Sequence, residues 1–139
     1  MARTTFSGPV VSQNGFIIDH TPTAANAINA TATATAAQVA TGYITSTSAA
    51  ATTITLPTGT LLGAALSATQ GTVFDLFIDN TAGASTVTVA VATNGVLSSA
   101  AVDTAASFGD LTIASGATGM ACFRLMFSSA TAYAFTRTA

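Results

Sequence analysis

Few side chains in this 139-residue chain have the chemistry for catalysis, and they are thinly spread. His20 is the one histidine, and it directly follows Asp19. A Ser-His-Asp triad would use such a pair, the imidazole taking the serine proton while the carboxylate orients it. The Gly-x-Ser-x-Gly elbow that commonly presents the serine is missing. Adjacency in sequence does not aim a carboxylate at an imidazole, so His20 reads as an ordinary surface or interface residue. A zinc site takes three or four His or Cys ligands, and His20 and Cys122 supply one of each. Asp75 and Asp79 share a strand face, but four extended residues separate them by about 13 Å, too far for the acid and base of a glycosidase. No Asp-rich calcium loop is present. Asn29-Ala30-Thr31 matches a glycosylation sequon, which chance readily produces in a chain this rich in Asn, Ala and Thr. The expectation is a protein that is not an enzyme and uses no cofactor or metal.

Composition narrows the classes further. Charged residues make up 6% of the chain, against roughly a quarter in soluble domains. Lys and Glu are absent; the charges are Arg3, Arg124, Arg137, Asp19, Asp75, Asp79, Asp103 and Asp110. Disordered chains pair low hydrophobicity with high net charge, the reverse of this balance. Three scattered arginines with a net charge of −2 do not make the clustered cations that phosphate contacts need, so no nucleic acid is expected as partner. No stretch stays apolar for the twenty or so residues of a membrane span, and the first residues lack the apolar core of a secretion signal. A lone cysteine excludes an internal disulfide.

The elements that would position these residues are strands. Thr, Val and Ile are abundant and strong helix formers scarce. Val87, Val89 and Val91 alternate with Thr86, Thr88 and Ala90, the period of a half-buried strand. Upstream, Phe74, Leu76 and Ile78 share one face of Thr72 to Asn80, and Val73, Asp75, Phe77 and Asp79 share the other. A short polar turn at residues 80–84 makes these two strands read as a hairpin. A second hairpin has Ala121, Phe123, Leu125 and Phe127 inward, Met120, Cys122, Arg124 and Met126 outward, a turn at residues 128–131, and a last strand through Tyr133, Phe135 and Arg137. Further strands are expected at Val39 to Thr47, Thr52 to Leu56, Phe108 to Ala114 and around Val96-Leu97, with a helical turn or two through Leu61, Leu62, Ala65 and Leu66. The fold class is all-β: a jelly-roll-like β-sandwich over residues 36–139, preceded by an extended N-terminal arm and Ala/Thr-rich segment over residues 1–35.

The outward faces suit an interface better than a reaction. Phe77 lies between two aspartates, and Met126 lies beside Arg124, on faces turned from the core. An exposed aromatic and a methionine with pairing charges nearby fit a subunit contact. Edge strands in monomers are protected by lysines and other charges, which this chain lacks, so a homo-oligomer is expected. Phe6, Val10 and Phe16 add apolar bulk to the arm, where Gly8-Pro9 and Asn14-Gly15 forbid one long strand or helix. The arm is expected to attach the protein to a partner.

Two stretches carry a resemblance. Ala2-Arg3-Thr4-Thr5-Phe6-Ser7-Gly8-Pro9-Val10 with Asn14-Gly15-Phe16, and then Thr53-Ile54-Thr55-Leu56-Pro57 followed by Gly71, the alternating aromatic strand, Asn80 and a Thr-Val-Thr-Val strand, resemble capsid decoration (cement) proteins of tailed phages, cyanophages among them. The resemblance implies a jelly roll, a homotrimer on the outside of the head, the major capsid protein as partner, and location in the virion; it transfers no single functional residue. A phage tail or receptor-binding β-domain and a carbohydrate-binding or adhesion module are the other classes in view. Glycan readers line a site with exposed aromatics, and here Trp is absent and Tyr limited to Tyr43 and Tyr133.

Overall fold

A computed structural model of the chain describes residues 26–97 and 111–139, with the backbone alone at Val96 and Leu97. Among the described residues, nine strands and two short α-helices follow in the order β1 (Ala32–Thr33), α1 (Ala36–Ala40), β2 (Tyr43–Thr45), β3 (Thr52–Thr55), α2 (Gly59–Leu66), β4 (Val73–Asp79), β5 (Val87–Ala90), β6 (Gly95–Leu97), β7 (Thr112–Ile113), β8 (Met120–Ser129) and β9 (Ala132–Arg137). They form a four-stranded sheet ordered β1-β3-β5-β7 and a five-stranded sheet ordered β2-β4-β8-β9-β6. Ile54, Val87, Val89 and Ile113 from the first sheet share one core with Ile44, Leu76, Ile78, Phe123, Leu125 and Phe135 from the second. The protein is β-rich, as its alternating pattern requires.

From β1 to β7 the chain passes between the sheets at every step, odd strands in one and even strands in the other. Each strand returns to its sheet after visiting the opposite one, and so β1 with β3, β3 with β5, β2 with β4 and β6 with β9 run parallel. A jelly roll is built from antiparallel Greek keys, so the connectivity expected from the resemblance is not the one seen among the described residues. The hairpin expected from Thr72 to Ala92 is also corrected. β4 pairs with β2 and β8, whereas β5 pairs with β3 and β7. Alternation had identified the strands but not their neighbours. The C-terminal hairpin is as expected, with β8 and β9 antiparallel.

The Val39 to Thr47 strand is replaced by α1 and the shorter β2. Thr35 caps α1: its hydroxyl accepts from the Gln38 N–H at 3.1 Å while Gln38 Oε1 accepts from the Thr35 N–H at 2.9 Å. This reciprocal capping box is a local helix-start signal that outweighs the β-propensity of the segment. Gly42, at φ +77°, then turns the chain into β2 through a conformation that side chains oppose. The turns through Leu61 to Leu66 are α2, capped by Thr58. Gly63 of α2 lies so close to the β8–β9 turn that a Cβ would overlap the Ala130 carbonyl oxygen.

The boundary drawn at residue 35 falls late. Asn26 to Thr33 already belong to the sandwich: Ile28 and Ala34 are buried, β1 pairs with β3, and the Ile28 N–H donates to the Thr45 carbonyl at 2.9 Å. That contact also covers the outer edge of β2. Both edges of the four-stranded sheet, β1 and β7, are two residues long, and Arg137 Nη1 donates to the Thr112 carbonyl at 3.0 Å. Short and self-covered edges are an accepted substitute for charge, so these edges do not by themselves demand a neighbouring subunit.

Candidate interface on the outer face of the five-stranded sheet

The register between β4 and β8 builds the face row by row. Val73 lies opposite Met126, Asp75 opposite Arg124, Phe77 opposite Cys122, and Asp79 opposite Met120. Alternation sends Leu76, Ile78, Phe123 and Leu125 into the core and leaves these rows outside. Val73, Met120 and Met126 are each about half exposed, at 49%, 48% and 51%. Three of the four large exposed hydrophobics among the described residues therefore lie on one sheet face, the fourth being Leu61 of α2.

Arg124 and Asp75 sit in the middle of this face. Arg124 Nε donates to Asp75 Oδ1 and its Nη2 to Oδ2, each at 2.7 Å. Such a bidentate pair is the geometry in which a guanidinium best matches a carboxylate. The hydrogen bond and charge of Asp75 push the Arg124 pKa upward. The sequence had put Phe77, Arg124 and Met126 on outward faces of separate strands; the fold brings all three onto one surface. Phe6, Val10, Phe16, His20 and Asp19 lie outside the described residues. Val73, Met120 and Tyr43 were not singled out as surface contributors, although the two-residue period had already turned Val73 and Met120 outward.

At one end of the face, Tyr43 of β2 donates its hydroxyl to Asp79 Oδ2 at 2.6 Å. Asp79 Oδ1 accepts from the Thr81 N–H at 2.9 Å and the Thr81 hydroxyl at 2.6 Å. The Thr81 hydroxyl and then Tyr43 hold the Asp79 carboxyl below its ordinary range, while the bond to Asp79 pushes Tyr43 up to about 12. On the other side of the sheet Tyr133 is buried, donating to the Pro57 carbonyl at 2.9 Å, and burial pushes it up to about 12 as well. Both neutral phenols are favoured by the fold. Their stabilisation is complete below the unfolded pKa near 10 and is lost as pH rises through the folded value. Asp79 acts in the opposite sense: its contribution holds above the unfolded carboxylate value and disappears as pH falls through the lowered one. With two tyrosines and no tryptophan in the chain, near-ultraviolet tyrosinate absorbance reads this directly. The folded protein is expected to show no tyrosinate at pH 10 and to ionise together with unfolding above it; half-titration at pH 10 in a folded sample would contradict the geometry of both residues.

The outer face of the four-stranded sheet is different. Thr53, Thr88 and Thr112 align in one row across β3, β5 and β7, and none of the four strands carries a charged residue. Among the described residues no cluster of three His, Cys, Asp or Glu side chains is placed to hold a metal, and no helix is long and apolar enough to cross a membrane. Asn29 of the sequon-like triplet is exposed, its Oδ1 accepting from the Thr47 N–H at 2.8 Å.

These features define a mixed-sheet β-sandwich with a broad, mostly apolar outer face. Comparison with protein-family models, curated proteins and solved structures finds no match to the chain.

Proposed function

We propose that the protein is a virion structural protein of the capsid decoration type, bound to the outer surface of a phage head and stabilising contacts between major capsid subunits. The supporting observation is the near absence of charge from both broad faces of the sandwich. One face is Thr and Ala; the other is apolar around the internally paired Arg124 and Asp75, with Asp79 at its end bonded to Tyr43 and Thr81. Soluble monomers keep a surface in which roughly a quarter to a third of residues are charged, so faces of this kind fit a protein that works while covered by others. Mass spectrometry of purified heads, tails and whole particles tests the assignment: the chain should be found with heads, and its recovery from tails alone would reassign it.

The N-terminal arm is the attachment element in this reading. The core residues named above all lie between Ile28 and Phe135, so deleting residues 2–15 removes none of them. The truncated protein is expected to keep the melting temperature of the full chain while losing binding to heads stripped of decoration protein. Unchanged binding would remove the arm from the attachment role, and failure to fold would make it part of the core.

A further inference from the structure

Three of the four rows that β4 and β8 build on the five-stranded face are self-complementary under one symmetry operation. A two-fold axis that runs along the strands, in the plane of contact and between β4 and β8, places β4 of one copy over β8 of the other without changing the row. Val73 then faces Met126, apolar on apolar; Phe77 faces Cys122; and Asp75 faces Arg124 of the opposite copy, as Arg124 faces its Asp75. Two charged pairs become an alternating square of four charges. In the end row Asp79 faces Met120 of the opposite copy, its two oxygens staying on Tyr43 and Thr81 of its own chain.

We propose that two copies of this chain pack these sheets face to face about that axis. The occupant follows from charge pattern: a face whose central row holds one cation and one anion in mirror positions is matched by itself, and a two-fold contact is isologous by construction. Aligned packing of two twisted sheets is one of the two standard arrangements, with the sheets about 10 Å apart. That distance lets Met126, Val73 and the Arg124 side chain interdigitate. This inference rests on the reading that the protein works while covered, and it names what covers one face; it replaces the threefold association implied by the resemblance with a two-fold one and leaves the Thr-lined face and the arm for the capsid.

Charge reversal tests it. Asp75→Arg gives a central row with two cations and Arg124→Asp a central row with two anions. Each variant alone is expected to be a folded monomer, its self-association weakened on the order of a hundredfold or more, since like charges juxtaposed in an interface cost several kcal/mol. Mixing the two should restore a heterodimer in sedimentation or native mass spectrometry, and the double variant D75R/R124D should dimerise like the original. A loss of folding would not reproduce this pattern, and circular dichroism of each single variant checks it. A wild-type chain that stays monomeric at high micromolar concentration, or single variants that are folded yet fail to associate when mixed, overturns the proposal. If those same variants lose binding to stripped heads, the face belongs to the capsid protein, which rejects the two-fold pair and leaves the head assignment standing.

Discussion

Phe123→Ala is expected to lower the unfolding free energy by about 3–5 kcal/mol, the range for emptying a large aromatic site in a close-packed core. Phe123 is 0% exposed and lies on β8, the middle strand of the five-stranded sheet. It pairs with Leu76 across β4, and its ring stacks on Phe135 at 4.9 Å between centroids with the planes 15° apart. Phe135 is the diagonal neighbour on β9, since its own cross-strand partner is Leu125; diagonal aromatics remain in reach of each other on a pleated face. Truncation therefore removes buried area, a stacking partner and the filler between two sheets at once. Phe123→Leu, which retains most of the volume, is expected to cost less than about 1.5 kcal/mol. Urea unfolding monitored by circular dichroism measures both, and an alanine variant within 1 kcal/mol of the original would mean that the two sheets do not close on this residue as described.

The second large effect is expected at Asn80, the residue where the chain leaves β4 for the opposite sheet. Its side chain is fully buried at 0% exposure. Nδ2 donates to the Ser85 carbonyl at 2.8 Å and to the Ala114 carbonyl at 2.9 Å, while the backbone N–H donates to the Gly119 carbonyl at 2.6 Å. One amide thus ties together the connection into β5 and the segment after β7. Asn80→Ala leaves two part-buried carbonyls without this donor; with about 1–3 kcal/mol as the range for a fully buried unsatisfied group, a loss of about 1–4 kcal/mol is expected. Asn80→Asp should be worse at neutral pH, because it sets a carboxylate oxygen against those carbonyls, and it should recover partly on acidification as the carboxyl becomes able to donate. An Asn80→Asp variant whose melting temperature matches the original at neutral pH would show that the amide does not hold this crossing.

How much was legible follows from the range of the forces involved. Strand identity and facing were readable where a two-residue period runs unbroken, as in Phe74 to Ile78, Val87 to Val91 and Ala121 to Phe127, because burial on one face imposes it locally. The β8–β9 turn was readable for the same reason: two such runs joined by four small residues have little choice but to pair. Leu76, Ile78, Ala121, Phe123, Leu125 and Phe127, on the faces that the pattern turns inward, are buried, with Phe74 at the partly buried margin of the core. Local signals were missed where they were short. The Thr35 to Gln38 capping box lay just before the strand expected from Val39 to Thr47, at the end of the Ala/Thr-rich segment, and the Ala/Thr composition of residues 26–34 concealed that Ile28 and Ala34 complete the core.

By itself, then, the sequence determined that the protein is β-rich and sparsely charged, and that Phe77, Arg124 and Met126 turn away from the core. Tertiary structure alone decided which strands are neighbours. A strand with one apolar face is satisfied by any partner that covers that face, and the alternation in Thr72 to Ala92 is equally compatible with a hairpin and with an arch between sheets. What separates the two is the anchoring of Asn80 by carbonyls from residues 5 and 34 positions away, a long-range hydrogen-bond arrangement with no local signature. The same holds for the surface: the pairing of Asp75 with Arg124 across 49 residues exists because β4 and β8 are adjacent and in that register, and a slip of either strand by one residue would have turned its own member of the pair toward the core and parted the two.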